Sequence, residues 1–538
     1  MPRVLIADKL EAAGVDLLRA SGLEVDSKPG LTPEELKTIL PDYDAVVVRS
    51  AAKITGDMLA SPGRLKAIAR AGVGIDTIDV AAATRQGIVV MNTPGGNTIS
   101  AAEHTIALLL SLARRVPAAD AIMKAGGWDR NKFVGTQITG KVLGVIGLGR
   151  IGREVARRAV GLEMTVLAYD PFVTPAKAAE MGFTAVASIA AMLPQVDFLT
   201  IHVPLTDETK SLIGAAELAL MKPTARVLNV SRGGIIDEAA LADALTANRL
   251  AGAGIDVFST EPTTAANPLL KAPNIVLTPH LGASTFEAQE TVAIEAAQLI
   301  IDFLQNGIIA NAVNMAAVDR KELDDLKLYV DLARRLGLLQ AQMSEGPIRK
   351  VTLTYKGDLA SRKTSLLTAA FTAGLLEYRV GGINLVNAEV LARDRGIEIT
   401  TSSSAKKDDF ASLLQAEVET DQGSYVAAGT LFGNQYLRLV RLGPYRLEVY
   451  LDGVLCIFNH LDRPGVIGFL GTTFGRHGVN IAAMNLGRQA RGGEAIGVLN
   501  LDTVPSDAAV AEVSKFEHIT SVRVVKLPEE GEMPAWLG

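Results

Sequence analysis

The chain has 538 residues, of which 48% are hydrophobic and 21% are charged, and this length predicts roughly three to four folded domains. The formal net charge of −6 excludes a global basic field for nucleic acid or an anionic membrane surface. A single cysteine, Cys456, excludes an intrachain disulfide and a cysteine-based zinc site. With no signal-peptide pattern or long apolar run, we expect a cytoplasmic protein with no nucleic-acid partner, no membrane span and no metal.

From its start to about residue 310 the chain alternates short apolar runs with alanine-rich segments of helical period. This alternation is typical of β-α-β units, and the continuity of the apolar runs predicts parallel strands covered by helices on both faces. A helical segment at 100–114 divides the strands, so we predict two α/β lobes with a ligand cleft between them. The predicted strands are 4–7, 45–49, 67–70, 88–92, 142–146, 165–169, 198–203, 226–230, 252–256 and 275–278.

Past residue 313 the pattern changes. Residues 316–342 are charged with helical period, and 349–450 show the alternation of apolar and polar residues that is typical of strands. From about residue 452 the order strand, helix, strand, strand, helix, strand is indicated. The sequence therefore predicts a third and a fourth domain after the two lobes.

The segment VLGVIGLGRIGREV places Gly147, Gly149 and Gly152 in a GxGxxG spacing, after a predicted strand and at the start of a helix. The first glycine makes the tight turn, the second admits a pyrophosphate to the backbone, and the third lets helix and strand pack closely. The next predicted strand is followed by Asp170, at the spacing of the acidic residue that binds the ribose hydroxyls and repels a 2′-phosphate. The pattern predicts NAD rather than NADP as cofactor.

Three ionisable residues of the second lobe follow predicted strands: Arg232, Glu261 and His280. The carboxyl ends of parallel strands meet at one edge of a sheet, so all three can face one crevice. A guanidinium can bind a carboxylate through two hydrogen bonds. An imidazole can exchange a hydroxyl proton near neutral pH, and a carboxylate beside it can fix its tautomer. The set predicts hydride transfer between a nicotinamide and a 2-hydroxy acid.

These motifs resemble those of the D-isomer-specific 2-hydroxyacid dehydrogenase family. The resemblance continues through VVVRSAAKIT, ARAGVGIDTID, NTPGGNTISAAEH and KFVGTQITGK and covers essentially the whole chain. It implies catalytic roles for Arg232, Glu261 and His280. The nucleotide contacts that it implies are Gly147, Gly149, Arg150, Ile151, Gly152, Asp170, Val203, Pro204, Val230, Ser231, Asp256, Gly282 and Ala283.

The implied fold class is α/β: two doubly wound, Rossmann-like parallel-sheet lobes, then an α+β intervening domain and a C-terminal ferredoxin-like ACT domain. The helix at 100–114 and the arm that follows it resemble the dimer-forming region of the family, so a homodimer or homotetramer is expected. The implied boundaries are 1–98 plus 286–312 for the substrate-binding domain, 99–285 for the NAD-binding domain, 313–450 for the intervening domain and 451–538 for the ACT domain.

The catalytic set binds only the carboxylate and carbinol of a hydroxy acid, so the rest of the substrate must be bound elsewhere. Arg49, with Ser50 beside it, and Arg70 close strands of the first lobe, and Arg130 lies in the arm. A phosphate group needs such cations, whereas the alternative is that they are ordinary surface charges. The backbone amides of Gly72, Val73 and Gly74 can form an anion-binding nest. We therefore predict a phosphorylated hydroxy acid as substrate.

Two further segments resemble parts of long family members. GGINLVNAEVLARDRGIEI resembles their intervening domain, and HLDRPGVIGFLGTTFGRHGVNIAAM resembles an ACT domain. In relatives whose ACT domain binds serine, the ligand-binding positions correspond to His460, Asp462 and Asn480. Serine is therefore a candidate effector; the alternative, that this domain only builds a tetramer, stays open.

The resemblance as a whole implies NAD-dependent oxidation of 3-phosphoglycerate to 3-phosphohydroxypyruvate, the first step of serine biosynthesis. Two alternatives remain. One is a glyoxylate, hydroxypyruvate or D-lactate dehydrogenase, which would not need the phosphate-binding cations. The other is an NADH-sensing binding protein, like the corepressors that use this fold, which would bind NADH with negligible turnover.

Overall fold

The computed structural model describes residues 1–315, 320–407, 409–433 and 435–534. Residues 316–319 of the predicted helical segment 316–342 and residues 535–538 of the predicted 451–538 domain lie outside the described residues. The described chain forms four sheets, of five, seven, six and four strands. Of the helices described, none is both long enough and apolar enough to cross a membrane.

The first lobe contains a five-stranded parallel sheet. Its strands β1 to β5 are Arg3–Ile6, Glu24–Ser27, Ala45–Val48, Ala67–Arg70 and Val89–Asn92, and its helices α1 to α4 are Ala12–Ala20, Pro33–Ile39, Gly56–Leu59 and Val80–Arg85. The strand order is β2-β1-β3-β4-β5. The inner strands β1, β3 and β4 consist almost entirely of Val, Ile, Leu and Ala and are buried, as expected for parallel strands between two helical layers.

Helix α5 (Thr98–Arg114) leads from the first lobe into the second, whose sheet has seven parallel strands. Strands β6 to β12 are Val142–Ile146, Thr165–Tyr169, Thr184–Ala185, Phe198–Ile201, Arg226–Asn229, Gly252–Ile255 and Ile275–Leu277; helices α6 to α11 are Val116–Lys124, Arg150–Gly161, Pro175–Glu180, Ile189–Met192, Ala215–Leu220 and Glu238–Thr246. The order β12-β11-β10-β9-β6-β7-β8 reverses at β6. Ligands of doubly wound sheets bind at the carboxyl ends of the strands beside such a reversal.

Helix α12 (Phe286–Asn306) follows the second lobe and packs back onto the first. Its residues Val292, Ala296 and Ile300 share a buried core with the strands β1 and β3. It approaches α1 closely because Gly14 has no side chain; a Cβ there would lie 2.6 Å from the carbonyl oxygen of Ala293.

The third domain combines helices α13 to α15 with a mixed sheet. The helices are Arg320–Met343, Ser365–Glu377 and Ala388–Asp394, and strands β13 to β18 are Ile348–Gly357, Glu398–Ser404, Ser412–Thr420, Ser424–Phe432, Tyr436–Leu442 and Tyr445–Tyr450. Their order is β14-β13-β15-β16-β17-β18, with β13 and β14 parallel and the other pairs antiparallel. Helices α13 and α14 pack together at Gly374, where a Cβ would lie 2.0 Å from the carbonyl oxygen of Arg334.

The C-terminal domain has four antiparallel strands and two helices: β19 (Val454–Leu461), α16 (Val466–Arg476), β20 (Ile481–Arg488), β21 (Glu494–Leu501), α17 (Asp507–Ser514) and β22 (Ile519–Lys526). The order β20-β21-β19-β22 is ferredoxin-like. Cys456 and Phe458 pack beneath the helices, whereas Leu455 and Ile457 on the other face join the core of the third domain. The strand β19 is therefore covered on both faces, whereas the edge strand β20 leaves Met484 and Leu486 exposed.

The predicted fold class is confirmed: two parallel-sheet lobes precede a mixed-sheet domain and an antiparallel-sheet domain. Strands β2 and β8 have no counterpart among the predicted strands. Both are edge strands, and β2 reads Glu-Val-Asp-Ser, with no apolar run. Short 3-10 helices occur at Leu40–Asp42, Asn131–Phe133, Pro268–Lys271 and Asp358–Ser361.

Candidate active site

A cleft of about 610 Å³ lies between the two lobes, at the carboxyl ends of β3 and β4 on one side and of β10, β11 and β12 on the other. Parallel strands bring loops that are distant in sequence to this one edge. Of the predicted site residues, Arg49, Ser50, Arg70, Gly72, Val73, Gly74, Arg232, Glu261, His280 and Ala283 line the cleft.

His280 and Glu261 form a pair in this cleft. His280 Nδ1 lies 2.7 Å from Glu261 Oε2, and Glu261 Oε1 accepts a hydrogen bond of 2.9 Å from the backbone N–H of Phe258. Burial raises the pKa of Glu261, but the hydrogen bonds from His280 and Phe258 outweigh it and leave the pKa below its ordinary value. An ionised Glu261 therefore accepts the Nδ1–H of His280, which leaves Nε2 as the ring nitrogen that can exchange a proton.

Arg232 extends from the second lobe onto a loop of the first. Its Nε donates to Asp76 Oδ2 at 3.1 Å, and its Nη1 donates to the carbonyl oxygen of Ser231 at 2.7 Å. The guanidinium lies directly over Gly74, where a Cβ would lie 2.0 Å from Nη2. Glycine at this position thus makes room for the arginine.

Arg70 and Arg49 add positive charge to the same cleft. Burial, with a further contribution from the charge of Arg232, lowers the pKa of Arg70 to about 10, so this guanidinium is still charged at neutral pH. Its Nε is buried and has no hydrogen-bond partner among the described residues. Arg49 donates to the carbonyl oxygen of Lys9 at 3.0 Å. Three guanidinium groups in one cleft fit a substrate that carries more than one anionic group.

The glycine loop between β6 and α7 fits a dinucleotide. A Cβ on Gly152 would lie 1.9 Å from the carbonyl oxygen of Gly147, so only glycine allows this packing, whereas Gly149 has open space where its side chain would be. The N-terminus of α7 faces this space and favours negative charge. Asp170, after β7, accepts hydrogen bonds from the N–H groups of Leu148 at 2.7 Å and Phe172 at 2.8 Å, which holds its carboxylate beside the loop.

The remaining predicted nucleotide contacts lie around the same edge of the second sheet. Arg150 and Ile151 begin α7, and the others follow strands β9 to β12. Asp256, Val230 and Gly282 are buried, whereas Arg150, Ile151, Val203, Pro204, Ser231 and Ala283 are at least partly accessible. The residues that follow these strands are Val203, Pro204, Val230, Ser231, Asp256, Gly282 and Ala283.

Arg130 is not brought to the cleft of its own chain. It is exposed in the arm after α6, where the neighbouring Lys132 and Thr136 bond to Arg115 and Arg226. Arg226 begins β10, so the base of the arm lies at the amino ends of the strands, at the edge opposite the cleft.

The cleft is also lined by residues that are absent from the predicted set, among them Asp76 and Asn97. Asp76 follows β4 and pairs with Arg232, and Asn97 follows β5 at the start of α5. Both stand in loops after parallel strands, within ARAGVGIDTID and NTPGGNTISAAEH. Their place after a strand end is the signal that could have identified them.

The predicted effector residues do not meet within one chain. His460 and Asp462 lie at the end of β19, where Asp462 Oδ2 accepts from Arg488 Nη1 at 2.8 Å and from the N–H of Gly492 at 3.0 Å. Asn480 precedes β20 and donates to Asp502 at 2.7 Å. The strand register places Asn480 at the opposite end of the sheet, about 25 Å away for strands of this length. Buried His460 bonds through Nδ1 to the carbonyl oxygen of Leu461 at 2.8 Å.

Comparison with known proteins identifies the family. The model of the D-isomer specific 2-hydroxyacid dehydrogenase NAD binding domain matches residues 106–282, and that of the D-3-phosphoglycerate dehydrogenase intervening domain matches 325–443. The D-3-phosphoglycerate dehydrogenases of Archaeoglobus fulgidus and Methanocaldococcus jannaschii are 42% and 40% identical to this chain, each over 98% of it and 100% of the relative. A crystal structure from Thermus thermophilus is 35% identical, with a TM-score of 0.53, over 58% of this chain and 99% of its own. The chain belongs to the D-3-phosphoglycerate dehydrogenase family, within the NAD-dependent D-isomer specific 2-hydroxyacid dehydrogenases.

Proposed function

We propose that the protein oxidises 3-phosphoglycerate to 3-phosphohydroxypyruvate with NAD, the first step of serine biosynthesis. The observation that carries this proposal is the cleft in which a hydrogen-bonded His280–Glu261 pair stands beside Arg49, Arg70 and Arg232. An acid–base pair alone would serve any 2-hydroxy acid. The additional cations match a substrate with both a carboxylate and a phosphate.

The roles of the catalytic residues follow from their contacts. His280 Nε2 accepts the proton of the C2 hydroxyl during oxidation and returns it during reduction. Glu261 holds the ring by its Nδ1–H and stabilises the imidazolium that forms. Arg232 binds the carboxylate and the oxygen on C2, and Asp76 orients its guanidinium. When bound, NAD supplies the nicotinamide that takes up the hydride.

We assign the phosphate to the first lobe. Arg49, Ser50 and Arg70 would contact its oxygens, and the backbone amides of Gly72 to Gly74 would add N–H donors. Arg130 could contribute only in an oligomer, because it lies at the far edge of the sheet in its own chain.

The residues that would hold NAD are those of the glycine loop and of the adjoining strand ends. Gly147, Gly149 and Gly152 leave room for the pyrophosphate at the N-terminus of α7. Asp170 would bind the ribose hydroxyls, which favours NAD over NADP. Arg150, Ile151, Val203, Pro204, Val230 and Ser231 would line the remainder.

We further propose that the chain forms a homodimer or homotetramer. The segment that follows α5 carries exposed apolar side chains that a partner subunit would cover. These side chains are Val116, Met123, Trp128 and Val134.

Serine, if it is an effector, would need two copies of the C-terminal domain, since Asp462 and Asn480 lie at opposite ends of one sheet. A cytoplasmic location remains a prediction from the cysteine content.

The test is the oxidation of NADH, followed by its absorbance, with 3-phosphohydroxypyruvate, hydroxypyruvate, glyoxylate and pyruvate in parallel, each with and without serine. We expect a strong preference for the phosphorylated ketoacid. Equal rates on the unphosphorylated acids would instead favour a general hydroxyacid dehydrogenase. NADH binding with negligible turnover on any of them would favour the sensor protein.

A further inference from the structure

The carboxylate of Asp256, directly after β11, is occupied by hydrogen bonds from the protein itself. Oδ1 accepts from Thr278 Oγ1 at 2.6 Å and from the N–H of Leu281 at 2.7 Å, and Oδ2 accepts from the N–H of Gly282 at 2.9 Å. Asp256 has no exposed surface. Burial raises its pKa, but hydrogen bonds, first of all that with His104, outweigh burial and leave the pKa below its ordinary value. The group is a buried, ionised anchor.

The donors from Thr278, Leu281 and Gly282 belong to the loop that carries His280. The backbone N–H of His280 also donates to the carbonyl oxygen of Asp256, at 2.8 Å. His280 itself has φ of +57°, a left-handed conformation that is uncommon for residues other than glycine and that the hydrogen bonds around it hold in place. Asp256 therefore fixes the backbone from which the imidazole projects.

The remaining donor comes from outside the loop. His104 lies on α5, and its Nε2 is 3.2 Å from Asp256 Oδ1 and 3.0 Å from Thr278 Oγ1. Helix α5 packs closely against the second sheet: a Cβ on Gly254 of β11 would lie only 3.1 Å from Leu112 of the helix. The same helix leads from the first lobe to the second. His104 thus links the helix between the lobes to the anchor of the catalytic loop.

We infer that His104 is a positioning residue for the proposed reaction: its Nε2–H, donated to the Asp256–Thr278 pair, fixes the loop of His280 relative to α5. His104 does not line the cleft and acts only through Asp256 and Thr278. Removal of its donor should shift His280 away from Glu261 and the substrate. Displacements of about 1 Å can cost about 100-fold in rate.

The kinetic test rests on the proposed function and uses the full-length protein. His104→Phe keeps a ring but removes the donor, whereas His104→Gln offers an amide N–H at similar reach. We expect His104→Phe to lower kcat by about 10- to 100-fold, with KM for the ketoacid and Kd for NADH unchanged. His104→Gln should retain most of the wild-type kcat. Glu103→Gln, next to His104 and facing Arg158, is the matched control and should have normal kcat.

A second measurement does not depend on turnover. Hydrogen exchange of residues 278–283 should be faster in His104→Phe, because the amides of Leu281 and Gly282 bond to Asp256. Thr278→Val removes the neighbouring donor without a change of volume, and its effects should be non-additive with those of His104→Phe. This pair keeps the test decisive if His104→Phe folds poorly.

Three results would overturn the inference. Normal kcat and normal exchange in His104→Phe would mean that the ring only fills space. An equal loss in His104→Gln and His104→Phe would mean that the donor is irrelevant. Weaker NADH binding with unchanged kcat would place Asp256 at the nucleotide instead. An inactive wild-type protein would refute the proposed function alone, and the exchange measurement would still decide on His104.

Discussion

The cleft between the lobes and the serine site of the C-terminal domain were both predicted from short sequence motifs, but only in the cleft do the predicted residues meet within one chain. In the cleft, Arg70, Arg232 and His280 come from three strands separated by long stretches of chain and still meet. In the C-terminal domain, Asp462 and Asn480 are close in sequence and lie at opposite ends of the sheet. The cleft residues all follow parallel strands, whose carboxyl ends meet at one edge. Asp462 follows β19 but Asn480 precedes β20, and these two strands run parallel because each is antiparallel to β21, so the two residues lie at opposite edges.

Each region holds a predicted site residue with a buried polar atom that has no hydrogen-bond partner among the described residues: Arg70 Nε in the cleft and His460 Nε2 at the end of β19. Asp462 and Asn480 bond to Arg488 and Asp502 of their own domain. A single chain therefore presents a prepared anion site in the cleft, but only separate halves of an effector site in the C-terminal domain.

The largest effect should follow from the loss of the proton-exchanging group. His280→Ala should lower kcat by about 10²- to 10⁴-fold, the usual contribution of general acid–base catalysis. Binding of NADH, measured by fluorescence, should be unchanged, because the glycine loop and Asp170 are on other strands. A His280→Ala protein that retains near-normal kcat would remove the catalytic assignment of the cleft.

Arg70→Gln should have a smaller effect that depends on the substrate. A hydrogen bond to a charged group contributes about 1.5–3 kcal/mol, so KM for 3-phosphohydroxypyruvate should rise about 10- to 100-fold. KM for unphosphorylated hydroxypyruvate should change little. Arg19→Gln, at an exposed position of α1, is the control. Equal rises for both substrates would assign Arg70 to the carboxylate instead.

The charge of Arg70 also predicts a pH dependence. Burial lowers the pKa of this guanidinium to about 10, so it is protonated at neutral pH and loses its charge as the pH rises through that value. The ratio of KM for the unphosphorylated to the phosphorylated ketoacid should therefore be constant near neutrality and fall as the pH approaches 10. A constant ratio across that range would mean that Arg70 does not bind the phosphate of the substrate.

The fold was largely predictable because apolar runs and strand-end residues are local signals. The buried strands β1, β3 and β4 are visible as such runs, and Arg232, Glu261 and His280 stand in the loops that follow strands. The edge strands β2 and β8 escape prediction because a half-exposed strand needs no apolar run. Arg130 and Asn480 were placed by resemblance, which does not say at which end of a strand a residue lies. Arg130 precedes β6 and Asn480 precedes β20, so each lies towards the amino end of a strand, whereas the residues that meet in the cleft follow strands.

Serine inhibition, if present, offers a way to test the divided effector site. Asp462→Ala and Asn480→Ala should each abolish inhibition and leave activity without serine unchanged, because both residues are far from the cleft. Hybrids formed from the two variants should regain part of the inhibition, since each hybrid dimer would contain one intact pair. Inhibition that survives both substitutions would remove these residues from the site.

The smallest expected effect concerns Cys456, which lies on β19 beneath α16. Burial raises the pKa of its thiol to about 12, so at neutral pH it is protonated, and the thiolate is the reactive form. We expect no reaction of the native chain with a thiol reagent, and reaction of the chain's single thiol in denaturant.

The denaturant dependence of Cys456 labelling shows whether the C-terminal domain unfolds together with the third domain or separately from it. Leu455 and Ile457, on the other face of β19, belong to the core of the third domain. Buried Arg335 of α13 donates to the carbonyl oxygens of Leu451 at 3.2 Å and Pro528, at the two ends of the C-terminal domain. Labelling of Cys456 should therefore accompany the unfolding of the third domain. Labelling at lower denaturant, before the third domain unfolds, would show that the C-terminal domain opens by itself and that the shared core does not couple the two.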